Sequence, residues 1–165
     1  MALTTKRSAR PHGDHDHAHC VTDAIARAEA VCAEHGARLT ENRRRVLELV
    51  WQSHAPVGAY EILERLRKDG ARAAPPTVYR ALEFLMEQGL VHRIETRNAF
   101  VGCPQPEQRH VAQYLLCEAC GDAVEIEIGG LARKIASRAA ELGFAVAAQT
   151  VEARGLCSRC QQTGA

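Results

Sequence analysis

No run of 18 or more apolar residues occurs in this chain, which excludes a conventional transmembrane helix. Nor does an apolar stretch follow the N-terminal cations Lys6, Arg7 and Arg10, so no secretory signal is expected and the protein reads as cytoplasmic, with no membrane partner. The seven cysteines are odd in number, which argues against a closed disulfide framework, and a reducing compartment would not sustain one. Metal ligation is the better use of them. No nucleophile-and-base motif is present either, and no enzyme is expected. Charge is nearly absent as a net quantity, at +1 over 165 residues. Residues 38 to 100 nevertheless carry 11 Lys/Arg against 8 Asp/Glu, a mild basic excess of the kind that can face nucleic acid but more often solvates a surface.

What is there falls into three parts. Residues 1–21 form a His-rich tail in which His12, His15, His17 and His19 stand among Gly13, Asp14 and Asp16. Such a tract cannot build a core and is expected to be disordered, although its histidines beside Cys20 are weak zinc ligands. From Asp23 to His35 the apolar positions Ile25, Ala28, Val31 and Cys32 mark a helix ending at Gly36, with Cys32 as a small buried hydrophobe. Thr40 is placed to cap a second helix with Val46, Leu47, Val50 and Trp51 inward. A third spans about 59 to 68 with Ile62, Leu63 and Leu66 inward, and stops near Gly70. A fourth starts at Thr77 behind Pro75 and Pro76, buries Val78, Leu82, Leu85 and Met86, and ends at Gly89.

Residues 90–95 and 99–103 then alternate like strands around Thr96, Arg97 and Asn98. Helices followed by a hairpin predict a winged-helix DNA-binding domain over residues 22–104, whose last helix enters the major groove. Tyr79 and Arg80 on the fourth helix are its base-reading candidates, because Arg bridges guanine O6 and N7 and an aromatic ring meets a thymine methyl. Arg43, Arg44 and Arg45 either neutralise phosphate or solvate a helix face.

Pro104 and Pro106 mark a hinge, and residues 105–165 read as a small α/β domain: strands at 113–117 and 123–128, a helix at 131–142 and a β-prone stretch at 144–151. The fold class is therefore α+β. Cys117 and Cys120 form one C-x-x-C and Cys157 and Cys160 another, a pairing that lets four thiolates occupy the corners of a tetrahedron around zinc. A closed four-thiolate shell leaves no position for water, so this zinc would be structural; two pairs rather than one argue against a thioredoxin-like redox role. So small a core would also gain from pairing with a second copy.

His92, Cys103, His110 and Glu125 are four further residues of ligand type, with no short motif joining them. Singly they read as surface imidazoles, a packed thiol and an exposed strand carboxylate. The run Pro75-Pro76-Thr77-Val78-Tyr79-Arg80-Ala81-Leu82, the preceding Leu39-Thr40 with Arg43, and Val91-His92 ahead of two C-x-x-C pairs resemble the ferric uptake regulator family over about residues 22 to 161. Val91-His92-Arg93-Ile94-Glu95, the stretch from Phe100 to Cys103 and Gly155-Leu156-Cys157 are most similar to its zinc uptake regulator branch. The resemblance implies a homodimeric repressor of zinc uptake genes that binds palindromic, double-stranded operator DNA. It also implies two zinc ions per chain: a structural one on the four cysteines and a regulatory one on His92, Cys103, His110 and Glu125. Iron-sensing relatives carry His three residues before the first clamp cysteine, where this chain has Tyr114. The alternatives are an iron or peroxide sensor on the same scaffold, and a zinc-clamped redox protein.

Overall fold

The computed structural model describes residues 17–53, 55–108 and 110–163, which divide into two compact units, with His110 opening the second. The first unit contains α1 (His17–Glu34), α2 (Glu41–Trp51), β1 (Val57–Gly58), α3 (Ala59–Lys68), α4 (Pro75–Glu87), β2 (Val91–Ile94) and β3 (Ala99–Gly102). Its core gathers Ile25, Ala28, Val31 and Cys32 with Val46, Leu47 and Val50, and with Ile62, Leu66, Val78, Leu82 and Leu85. Each comes from the inward stripe that its helical spacing predicts. Three helices end in one way. In α1 the amide of Gly36 donates to the Ala33 carbonyl and that of Ala37 to Cys32, and the same pair of bonds closes α3 at Gly70 and Ala71 and α4 at Gly89 and Leu90. This termination needs a left-handed residue, and the three glycines have φ of 63°, 85° and 72°.

Several boundaries differ from expectation. Helix α1 begins at His17, so the last residues assigned to a disordered tail are helical, while His12 and His15 lie outside the described residues. The reason is Val21, which packs on the core one turn before Ile25 and extends the apolar stripe. Helix α4 starts at Pro75 rather than Thr77, since Pro fits the first helical turn, where no amide donor is needed. Thr40 occupies the N-cap of α2, but its hydroxyl makes no capping hydrogen bond. The turn between β2 and β3 is a 3-10 turn at Glu95–Arg97 closed by Asn98 in the left-handed region. The short strand β1, unforeseen, pairs with β3 to complete an antiparallel sheet of order β1-β3-β2. This is a winged helix. Residues 105–108 belong with it instead of with the small domain: the Arg27 guanidinium donates to the Pro104 carbonyl at 2.6 Å and pairs with Glu107 at 3.9 Å.

The second unit contains β4 (Gln113–Cys117), β5 (Ala123–Glu125), α5 (Leu131–Glu141), β6 (Val151–Gly155) and α6 (Ser158–Thr163). Its sheet has the order β5-β4-β6, antiparallel on one side and parallel on the other. Strand β5 is shorter than the expected 123–128, and residues 144–150 form no strand. The physical cause is partnership: β6 pairs with β4 only from Val151 onward, opposite Gln113, so the β-prone stretch before it has no strand alongside in this unit. Among the described residues no helix is long and apolar enough to cross a membrane.

One contact in the wing is unusually close. A Cβ at Gly102 would stand 2.2 Å from ring atoms of Trp51, so only glycine lets the indole lie against β3. Gly102→Ala is expected to lower stability by about 1–3 kcal/mol, as overpacking does. Urea unfolding followed by emission of Trp51, the single tryptophan, measures it; an unchanged midpoint and emission maximum would show the contact to be unimportant.

Candidate metal centres and nucleic-acid interface

Parallel pairing of β6 with β4 brings the two C-x-x-C knuckles to one edge of the sheet. Cys117 closes β4 opposite Gly155, the last residue of β6, and the chain then turns at once into Cys157 and the helix α6 that carries Cys160. The Glu118 amide ties the strand ends by donating to the Gly155 carbonyl at 2.8 Å, and Gly121, with φ of 83°, makes the tight turn after Cys120. The four sulfurs lie within 4.8 Å of one another, and Cys120 Sγ is 3.9 Å from Cys157 Sγ. Zinc–sulfur bonds of about 2.3 Å in a tetrahedron require sulfurs roughly 3.8 Å apart, so the cluster fits such an ion. None of the seven cysteines is in a disulfide.

Electrostatics within the cluster also call for a cation. Backbone amides of Cys120 and then Cys157 stabilise the Cys117 thiolate, holding its pKa at about 6. The neighbouring thiols act oppositely on Cys160, pushed to about 12, first by Cys157. Cys120 is also raised: the Asp122 amide favours its thiolate, but burial and adjacent sulfurs outweigh that. One thiolate therefore forms readily while Cys120 and Cys160 resist, until a divalent ion compensates the accumulating charge. Arg159, between the second pair of cysteines, was not singled out from the sequence; its guanidinium is held charged chiefly by a hydrogen bond to Cys120. The signal was an arginine inside the C-x-x-C itself.

The second set of ligand-type residues appears as a pair in each unit. In the first, His92 on β2 and Cys103 just past β3 have ligand atoms within 4.8 Å of each other, and the Cys103 amide donates to the Leu90 carbonyl at 3.0 Å. Cys103 is buried. In the second, His110 Nε2 lies 2.6 Å from Glu125 Oε1. Glu125, expected to be an exposed strand residue, has a side chain only 10% accessible, and burial pushes its carboxyl up against the opposing pull of His110.

On α4 the inward residues Val78, Ala81, Leu82 and Leu85 leave Tyr79 and Arg80 on the opposite, exposed face, near the helix N-terminus, whose dipole favours phosphate. The three consecutive arginines of α2 are engaged within the domain. Arg43 lies over the Phe84 ring at 3.5 Å, Arg44 pairs with Glu29, and Arg45 pairs with Glu48 at 2.7 Å and with Asp69.

The cysteine cluster implies a pH dependence. A divalent metal bound there has to displace protons, most reluctantly from Cys160, so its affinity is expected to fall as pH drops, by roughly tenfold per pH unit for each proton displaced. Chelator competition between about pH 8 and pH 6 measures this; a pH-independent affinity would contradict the four-thiolate assignment.

Comparison with known proteins agrees with this architecture. Residues 34–154 match the model of the Ferric uptake regulator family. The zinc uptake regulation protein of Escherichia coli (strain K12) is 39% identical over 144 residues, which cover 87% of this chain and 84% of that protein. Among solved structures, a zinc uptake regulator complexed with zinc and DNA is 38% identical with a TM-score of 0.83, covering 87% of this chain and 97% of the other. The crystal structure of holo XcZur is 43% identical with a TM-score of 0.79, covering 85% and 98%. The chain belongs to the ferric uptake regulator family.

Proposed function

We propose that this chain is a cytoplasmic, zinc-responsive transcriptional repressor that binds palindromic operator DNA as a homodimer and shuts zinc uptake genes when zinc is ample. The observation that carries the reading is two donor sets of different chemistry on a chain with a winged helix. One is the four-thiol cluster; the other comprises His92 with Cys103, and His110 with Glu125. Cys117, Cys120, Cys157 and Cys160 close the coordination shell of a structural zinc, which leaves no site for substrate. One thiolate, two imidazoles and one carboxylate suit a four-coordinate, regulatory zinc better than oxygen-preferring, six-coordinate ions. Two zinc ions per chain follow. The relative at 39% identity is a zinc uptake regulation protein, and the solved structure at 38% identity holds zinc and DNA.

Bound at the regulatory set, zinc supplies a cross-link between wing residues and small-domain residues that restrains the hinge around residue 105. His92 and Cys103 anchor the wing end of that link, and His110 and Glu125 the other. A restrained hinge favours one presentation of the recognition helices, and operator affinity rises through the difference in affinity between the two states. The second copy is called for by the small domain: α5 buries no residue, while Leu142 and Phe144 are 74% and 67% exposed and Ile128, Ile135 and Leu156 are exposed as well. Two symmetric α4 helices, each with Tyr79 and Arg80 outward, then read half-sites a helical turn or a multiple of it apart. Arg44 and Arg45, already paired with carboxylates, contribute little to phosphate neutralisation.

Operator-binding titration with zinc, followed by fluorescence anisotropy, tests the scheme. Cys103→Ser is expected to lose zinc-stimulated binding while keeping one zinc per chain and the dimer; full stimulation in that variant would refute the regulatory assignment. Arg80→Ala should weaken binding by about 5- to 150-fold at saturating zinc, the value of a bidentate guanine contact. Cys117→Ser, or chelation of the clamp metal, should cost the folded dimer, because structural zinc binding is part of the folding free energy. A Cys117→Ser protein with wild-type melting and dimerisation would overturn the structural role.

A further inference from the structure

Tyr114 is the largest fully buried side chain among the described residues, 1% exposed, on the central strand of the small sheet. In the antiparallel register Tyr114 stands directly opposite Glu125, so the two side chains emerge on one face. Its hydroxyl donates to Glu125 Oε2 at 3.3 Å, while the other carboxylate oxygen, Oε1, meets His110 Nε2 at 2.6 Å. The two oxygens of one carboxylate are thus divided between two partners of different kinds. His110 carries a nitrogen able to ligate a metal; the phenol O–H is a donor here.

We propose that Tyr114 is a specificity-determining positioning residue, whose hydroxyl holds Glu125 Oε2 so that this carboxylate offers a metal Oε1 alone. This rests on the regulatory assignment above. A carboxylate confined to one oxygen keeps the coordination number low, which suits tetrahedral zinc. A carboxylate that swings to offer both oxygens adds a ligand and moves the site toward the larger shells of manganese and iron. Donors of this kind, bound to a ligand rather than to the ion, tune metal affinity by about 10- to 100-fold. Burial of the ring fixes the donor: with β4 hydrogen-bonded on both sides, the phenol has no room to withdraw.

Tyr114→Phe removes the hydroxyl and keeps the volume, so the variant is expected to fold and to retain its clamp zinc. The full-length chain, with the clamp first filled by zinc, is titrated at the second site with zinc, cobalt(II) and manganese(II). The wild type should give the intense visible absorption of four-coordinate cobalt and a large preference for zinc over manganese. In Tyr114→Phe zinc affinity should fall about 10- to 100-fold. The cobalt absorption should weaken toward that of higher coordination, and the zinc-over-manganese ratio should shrink. A core role alone would move the melting temperature but not the cobalt spectrum or the ratio. Wild-type zinc affinity, spectrum and ratio in the variant overturn the inference while leaving the regulatory site standing. A wild type that takes up no second zinc overturns both.

Discussion

The small domain depends on one backbone interaction, the parallel pairing of β4 with β6. Strand β4 ends at Cys117, and β6 ends beside it at Gly155, so the chain leaves both strands at the same edge. An antiparallel β6 would have delivered Cys157 and Cys160 near Gln113, about 13 Å from Cys117 at 3.3 Å per residue, too far for one ion. Parallel strands require a crossover of a dozen or more residues, and α5 with its flanking turns supplies it. The 36 residues between the cysteine pairs are therefore the length of a crossover, and the cysteine cluster closes a topology rather than a loop.

The two units solve the problem of stability differently. The winged helix has a continuous apolar core drawn from four helices and three strands, and three of those helices terminate in glycine-closed turns. In the small unit the buried residues among those described are Ala112, Gln113, Tyr114, Leu116, Cys117 and Cys160, essentially one strand and two of the four clustered cysteines. Burial on that scale does little against chain entropy, and the unit is correspondingly dependent on what it binds. Its large exposed apolar residues and its closely spaced thiols are two forms of one deficit, in burial and in charge compensation.

Much of this was legible in the residues. Stripes at Ile25, Ala28, Val31 and Cys32, and at Val78, Leu82 and Leu85, mark helices because burial of one face imposes a 3.6-residue period. The expected strand at 144–151 failed because β-propensity describes fitness for a partner and supplies none; only residues from Val151 onward have β4 alongside. Helix α1 was read six residues short because Val21 stands among polar neighbours and only its packing on the core shows it to belong to the stripe. Arg44 and Arg45 looked available for phosphate until Glu29, Glu48 and Asp69 were found beside them, contacts made across 3 to 24 residues of chain.

Local chemistry is what the sequence determines by itself. Each C-x-x-C sets two thiols at the spacing of neighbouring tetrahedral corners, while the meeting of the two pairs depends on the pairing of β4 with β6. Proline, glycine and apolar period set where the helices of the winged domain run. Only the tertiary structure decided which side chains face each other across strands. It placed Tyr114 opposite Glu125, His110 on one of that carboxylate's oxygens, and the Trp51 indole against Gly102. Those pairings follow from register and packing, which depend on the whole sheet and core at once, and no spacing along the chain encodes them.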